Sequence, residues 1–150
     1  MMKYLKLTPI LLFLVIASAC GTINKTTISD SADLSKYNYA TITDVEGYGG
    51  SPVLMDLSVR IYDALSKTRL TVIGDKQIEA LSLPQKQELL LVRYTATQND
   101  AESVVSINFV EYLSGRPVAS FRGAYGLGWG VEQDMNRAIN NAIEQMKKHF

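Results

Sequence analysis

The chain has 150 residues, with 15 basic and 15 acidic side chains and a formal net charge of zero. This balance leaves no positive excess for a phosphate backbone and argues against nucleic acid as a partner. A single cysteine and a single histidine exclude an internal disulfide and the usual zinc sites, which draw on several such ligands.

The first 19 residues have the order of a secretory signal peptide. Lys3 and Lys6 are followed by an apolar run over 10–17, and small residues fill 17–19. The run is too short for a transmembrane helix, which needs about 20 apolar residues. We therefore predict cleavage before Cys20, which leaves 131 residues with a formal charge of −2.

The four residues "ASAC" at 17–20 resemble the lipobox of bacterial lipoproteins, whose cysteine receives diacylglycerol and becomes the first residue. The resemblance implies that Cys20 carries palmitate-type acyl chains and anchors the protein in the cell envelope. Gly21 after the cysteine, with no acid before Asp30, implies an outer-membrane protein facing the periplasm. "ASA" also fits an ordinary Ala-x-Ala secretion site, which would leave a soluble protein with a free thiol.

The segment 20–36 consists of the cysteine whose lipidation the resemblance implies and of residues 21–36, which are polar and aperiodic and predict a flexible tether. A coil of this length has a root-mean-square reach of about 20–24 Å. Residues 37–150 are predicted to form a single domain.

The first half of this domain alternates strands and helices. Polar and apolar residues alternate over 37–45 and predict a strand. Ser51 and Pro52 suit an N-cap and a first helical position, and a stripe of apolar side chains follows over 53–68: Leu54, Leu57, Ile61, Ala64 and Leu65. A short strand is predicted at 70–74, and a brief helix follows it.

The second half predicts three strands and a helix. Segments 88–97, 103–113 and 118–126 form an antiparallel meander, in which one side of the middle strand carries Val105, Ile107 and Phe109. The helix over 131–150 carries an apolar stripe: Met135, Ala138, Ile139, Ala142, Ile143 and Met146.

The element order is β-α-β-(α)-β-β-β-α. It predicts an α+β fold, a two-layer α/β sandwich with a mixed, mainly antiparallel sheet of about five strands and two amphipathic helices on one face. The segments "ALSKTRLTVIGD" and "INFVEYLSGRPVAS", within 53–122, resemble small periplasmic α/β domains of bacterial lipoproteins. These are the curli-secretion channel lipoprotein, the lipoprotein activator of penicillin-binding proteins and the N-terminal domain of the Tol translocation protein. The resemblance implies a scaffold or regulator and carries over no catalytic residues.

Residues suited to catalysis are few. His149 lies near the carboxyl end, where helices fray, and we interpret it as part of a solvated tail. Asp44 and Glu46 near the first strand, and Asp56 and Asp63 on the first helix, are the carboxylates that acid/base chemistry would need. We expect no catalytic residue, no metal site and no cofactor.

Two glycine-rich segments, "GYGGS" at 47–51 and "GAYGLGWG" at 123–130, each lie between a strand and a helix. They permit tight turns, or their N–H groups could hold an anion. We predict that both loops lie at one end of the sheet and form an interaction rim: Tyr48, Gly49, Gly50, Ser51, Tyr125, Gly128 and Trp129.

These observations favour a lipid-anchored, non-catalytic binding or scaffold module of the bacterial envelope, whose partner is an envelope protein. A periplasmic carrier or sensor of a small ligand is the alternative, and it would need a tyrosine-lined pocket between helices and sheet.

Overall fold

The computed structural model of the protein describes residues 23–43, 51–126 and 130–150. In these ranges the strands are β1 (Lys25–Ile28), β2 (Tyr39–Ile42), β3 (Thr71–Val72), β4 (Leu89–Gln98), β5 (Ser103–Glu111) and β6 (Pro117–Tyr125). The α-helices are α1 (Pro52–Leu65), α2 (Asp75–Ile78), α3 (Leu83–Gln87) and α4 (Val131–Lys147). No helix within these ranges is both long and apolar enough to cross a membrane.

The described strands form one mixed sheet in the order β1-β6-β5-β4-β2-β3. Strands β4, β5 and β6 pair antiparallel as a meander, and β2 pairs parallel with both β3 and β4. Parallel neighbours need a crossover, which α1 supplies between β2 and β3. The predicted α+β fold on a mixed sheet is confirmed.

The amino-terminal segment differs from the prediction. Strand β1 pairs antiparallel with β6, with Lys25 opposite Arg122, and Asn24 Oδ1 accepts a hydrogen bond from the Ala124 N–H at 3.2 Å. The prediction of a flexible tether is therefore wrong from residue 25 onward, and the sheet gains a sixth strand. Four residues are too few for a visible periodicity, and the free edge of β6 supplies the hydrogen bonds that order them.

The long helices α1 and α4 cover one face of the sheet. Both predicted apolar stripes face the core, with Leu54 at its margin. Val105, Ile107 and Phe109 are fully buried on the same side of β5. Arg60 of α1 joins the helices, since its guanidinium donates to the Asn136 side-chain oxygen at 2.9 Å and to that of Asn140.

The short helices α2 and α3 contact side chains on the other face. Thr41 Oγ1 donates to Asp75 at 3.1 Å, and Gln85 Nε2 donates to the Tyr39 hydroxyl at 3.1 Å. Ala40 between them faces the main core, so alternation places Tyr39 and Thr41 opposite α1. Strands β4, β5 and β6 continue this face, where they line a shallow groove of about 460 Å³ whose surface is mostly apolar.

Candidate functional site

Both long helices begin at the same end of the sheet. Ser51 Oγ accepts a hydrogen bond from the Leu54 N–H at 3.4 Å, and Pro52 occupies the first turn of α1. Gly130 has a φ of +151° and precedes α4. We name as the loop end the part of the domain where β4 and β6 finish, β5 begins, and α1 and α4 start.

A groove of about 420 Å³ separates the two helix starts. Its lining comes from α1, from α4 and from the last residue of β4: Pro52, Val53, Asp56, Gln98, Val131, Glu132, Met135, Asn136 and Ile139. Val53 is 40% exposed and Val131 67% exposed. The rim of this groove therefore offers apolar surface to a partner.

A second groove of about 500 Å³ lies between the start of α4 and the β4–β5 connection. Asn99 Oδ1 accepts hydrogen bonds from the N–H groups of Ala101 and Glu102, both at 2.8 Å, and so fixes that connection. Ser103 lines the groove, and its buried Oγ has no hydrogen-bond partner among the described residues. The carboxylate of Asp134 is also mostly buried there. Polar groups of this kind can orient a small ligand.

The residues predicted for the interaction rim are only partly described. Ser51 caps α1, and the Tyr125 hydroxyl accepts a hydrogen bond from Arg137, whose guanidinium lies 4.6 Å from the ring centroid. Five predicted rim residues lie outside the described ranges: Tyr48, Gly49, Gly50, Gly128 and Trp129. The predicted lipidation site Cys20 also lies outside them. The helix starts that follow both loops do adjoin one groove.

One glycine of the second predicted loop belongs to a strand. Gly123 lies within β6, opposite Val105, and faces α4 closely. The loop after β6 therefore begins at Gly126, whose added Cβ would lie 2.0 Å from the Ala101 carbonyl oxygen. Here glycine serves close packing of backbone against backbone.

The candidate catalytic groups that the structure describes, Asp56, Asp63 and His149, are all exposed. Asp56 pairs with Arg60 at 3.4 Å, while Asp44 and Glu46 lie outside the described ranges. His149 is exposed, with its ring centroid 5.5 Å from that of Phe121. Within the described parts of the chain, no three His, Cys, Asp or Glu side chains are grouped closely enough to hold a metal ion.

A polar network at the opposite end of the sheet had no counterpart in the sequence analysis. Glu111 accepts hydrogen bonds from Lys36 Nζ at 2.8 Å, from the Tyr37 hydroxyl at 3.0 Å and from Ser114 Oγ at 2.5 Å. The Lys36 bond is the main reason why the pKa of Glu111 falls from 4.5 to about 2. Lys36 and Glu111 are 75 positions apart, so only the folded sheet reveals the pair.

We expect this network to make stability depend on pH. Because the pKa of Glu111 is lowered on folding, its contribution is complete above about pH 4.5 and is lost as the pH falls through 2. At neutral pH the Glu111→Gln variant should have a free energy of unfolding about 1–2 kcal/mol lower than the wild type. Solvent around Lys36 screens the ion pair and keeps the difference from being larger. Urea unfolding at neutral and acidic pH measures the difference in stability between the wild type and the variant, which should disappear in acid. A difference of equal size in acid would contradict the assignment.

No protein-family model matches this chain, and no curated protein does either. A solved PDZ domain protein from Parabacteroides distasonis superposes with a TM-score of 0.61 at 12% identity. The match covers 86% of this chain but only 36% of that one. Two structures of the PelC dodecamer from Paraburkholderia phytofirmans give TM-scores of 0.47 and 0.45 at 16% and 17% identity. They cover 85% and 83% of this chain and 96% of each PelC chain. The Parabacteroides structure establishes a shared fold at this level of identity, and nothing further.

Proposed function

We propose that the protein is a bacterial envelope lipoprotein, anchored through acyl chains on Cys20, that acts as a non-catalytic binding or scaffold module. The observation that carries the proposal is the "ASAC" motif behind an apolar run, with the first strand of the domain only five positions after the cysteine. Two or three acyl chains hold a protein stably on a membrane, whereas one holds it only marginally. We place the anchor in the outer membrane, with the domain in the periplasm.

The loop end is the surface that we assign to binding. Exposed Val53 and Val131 flank a groove between two helix starts, and Trp129 is two positions before Val131 in the sequence. Aromatic and aliphatic side chains around a concave surface are typical anchors of protein interfaces. An envelope protein in or beside the membrane is the partner that the groove between the helix starts fits.

A periplasmic carrier or sensor of a small ligand is the second candidate. Ser103 favours it, since its buried hydroxyl lacks a partner and lines a groove of about 500 Å³. The tyrosine-lined pocket expected for this function is not supported by Tyr37 and Tyr94, which are buried in the core. A ligand would therefore have to bind at the loop end.

Replacement of Cys20 by alanine tests the anchor. We expect the wild-type protein to incorporate labelled palmitate and to sediment with envelopes, and we expect Cys20→Ala to lose both properties, because thioether attachment needs the sulfur. Mass spectrometry of the mature protein and fractionation of cells measure the outcome. If the variant kept its mass and its sedimentation, lipidation at Cys20 would be refuted.

Photo-crosslinking separates the two candidate functions. A crosslinker at position 53, in the groove between the helix starts, should yield one defined envelope protein in intact cells if the module binds a protein. A carrier would instead copurify with a small molecule, detectable by mass spectrometry and lost in Ser103→Val. A copurified small molecule with no crosslinked envelope protein would favour the carrier.

A further inference from the structure

The chain enters the domain at the loop end. Strand β1 begins at Lys25 beside Arg122, near the finish of β6. Asn24 is already held there, because its side chain accepts a hydrogen bond from the Ala124 N–H. The domain is therefore attached to its amino-terminal segment at the end that carries both helix starts.

The link between the proposed anchor and this point is short. Only residues 21–23 separate Cys20 from Asn24, so even a fully extended chain places their Cα atoms at most about 14 Å apart. A domain held on so short a link cannot turn freely above a membrane. Its loop end must stay near the plane in which the acyl chains insert.

Exposed apolar side chains occur at this end. Ile23 and Val131 are 68% and 67% exposed, and they lie on either side of the position where β6 finishes. Leu113, which is 50% exposed, occupies the turn after β5 at the far end. The nine residues of β5 separate the two ends by about 27 Å.

Charge does not explain an attraction of the loop end to lipid. Arg122 is paired with Glu102 at 3.4 Å, and the second groove is lined by further acids, Asp100 and Asp134. Anionic lipids attract clusters of several basic side chains, and the described residues of this end form no such cluster. Contact with the bilayer must therefore come from the link and from apolar side chains.

From these observations, which rest on the proposed acylation of Cys20, we propose that the loop end is a membrane-facing surface. The phospholipid bilayer covers the edge of this surface, where Ile23 and Val131 contact the headgroup layer, and the groove beside Val53 stays open to an envelope protein in or beside the membrane. The far end, with Glu111 and Leu113, points away from the bilayer. A partner that spans the periplasm would meet that end first, whereas a partner of the loop end must itself be in or beside the membrane.

Site-specific labelling tests this orientation in the full acylated protein. Acylation occupies the chain's one cysteine, so a cysteine introduced at Val131 or Leu113 is the only free thiol for a fluorescent label. The labelled proteins are reconstituted into phosphatidylcholine vesicles that carry doxyl-labelled phosphatidylcholine, which quenches nearby fluorophores. We expect quenching at position 131 to be several-fold stronger than at 113. Equal quenching, or stronger quenching at 113, would overturn the orientation.

A longer link provides the control. Insertion of about twelve Gly and Ser residues after Thr22 raises the root-mean-square reach of the link to roughly 20–24 Å. Quenching at 131 should then fall towards the value at 113 while the protein still sediments with vesicles. Unchanged quenching would mean that the short link does not set the orientation, and would refute the proposal. Absence of the acyl mass from the starting protein would refute the anchor itself, and mass spectrometry reads that outcome separately.

Discussion

Replacement of Gly123 by alanine is expected to lower the free energy of unfolding by about 3 kcal/mol or more. An added Cβ would lie 2.2 Å from the Ala138 carbonyl oxygen and 2.3 Å from the Ala142 backbone nitrogen. Both atoms belong to the backbone of α4, so no side-chain rotation can relieve the overlap. The helix would have to move away from β6.

The cost is large because this contact sets the distance between the two layers. Ala138 and Ala142 are fully buried at the contact and allow the helix backbone to approach the strand. A shift of α4 would separate its apolar stripe from the sheet, including Ile139 and Met146. Close packing in a core transmits such strain over many side chains.

Urea unfolding of a soluble chain that starts at Gly21 measures the effect. Gly74→Ala is the matched control, because the nearest atom to its added Cβ is Gln77 Oε1 at 3.9 Å and its φ is −80°. Gly74 is the N-cap of α2, where alanine is less favourable than glycine, so that control should lower stability by about 1 kcal/mol or less. Equal effects of the two substitutions would show that α4 does not approach β6 as closely as described.

The elements that sequence reasoning located are those with long periodic patterns. The stripe from Met135 to Met146 and the alternation from Val105 to Phe109 both identify a buried face without knowledge of the partner. Residues typical of helix starts located the element bounds, as Ser51 and Pro52 did for the beginning of α1. These cues sufficed for the α+β sandwich.

The features that sequence reasoning missed depend on distant partners. Strand β1 is ordered by the edge of β6, about a hundred positions away in the chain. In the sequence Gly123 cannot be told from a loop glycine, because its role depends on the close approach of the α4 backbone. The Glu111 network likewise joins a turn near residue 36 to the end of β5. No local pattern encodes such pairings.

Phe109→Ala is expected to cost about 3–5 kcal/mol of stability. Its side chain is fully buried in the centre of the sheet, and its ring lies edge-on to Phe121 with centroids 5.6 Å apart. The ring of Phe150 lies 4.7 Å from that of Phe109 and 6.1 Å from that of Phe121, so the three rings form one cluster. The substitution leaves a cavity beneath α4 that neighbouring strands cannot fill without breaking the ladder.

Urea unfolding again measures the loss, and Leu113→Ala in the exposed turn serves as a control with an expected change below about 0.5 kcal/mol.

The contact between Phe109 and Phe150 also bears on the carboxyl-terminal residues, which were expected to fray. Phe150 packs against the core, and its carbonyl oxygen accepts a hydrogen bond from the Arg69 N–H at 3.4 Å. Because the two rings are in contact, Phe109→Ala and Phe150→Ala should be non-additive by about 0.5–1.5 kcal/mol in a double-mutant cycle. Full additivity would mean that the last residue leaves the core and that Phe109 is held by β4, β6 and α4 alone.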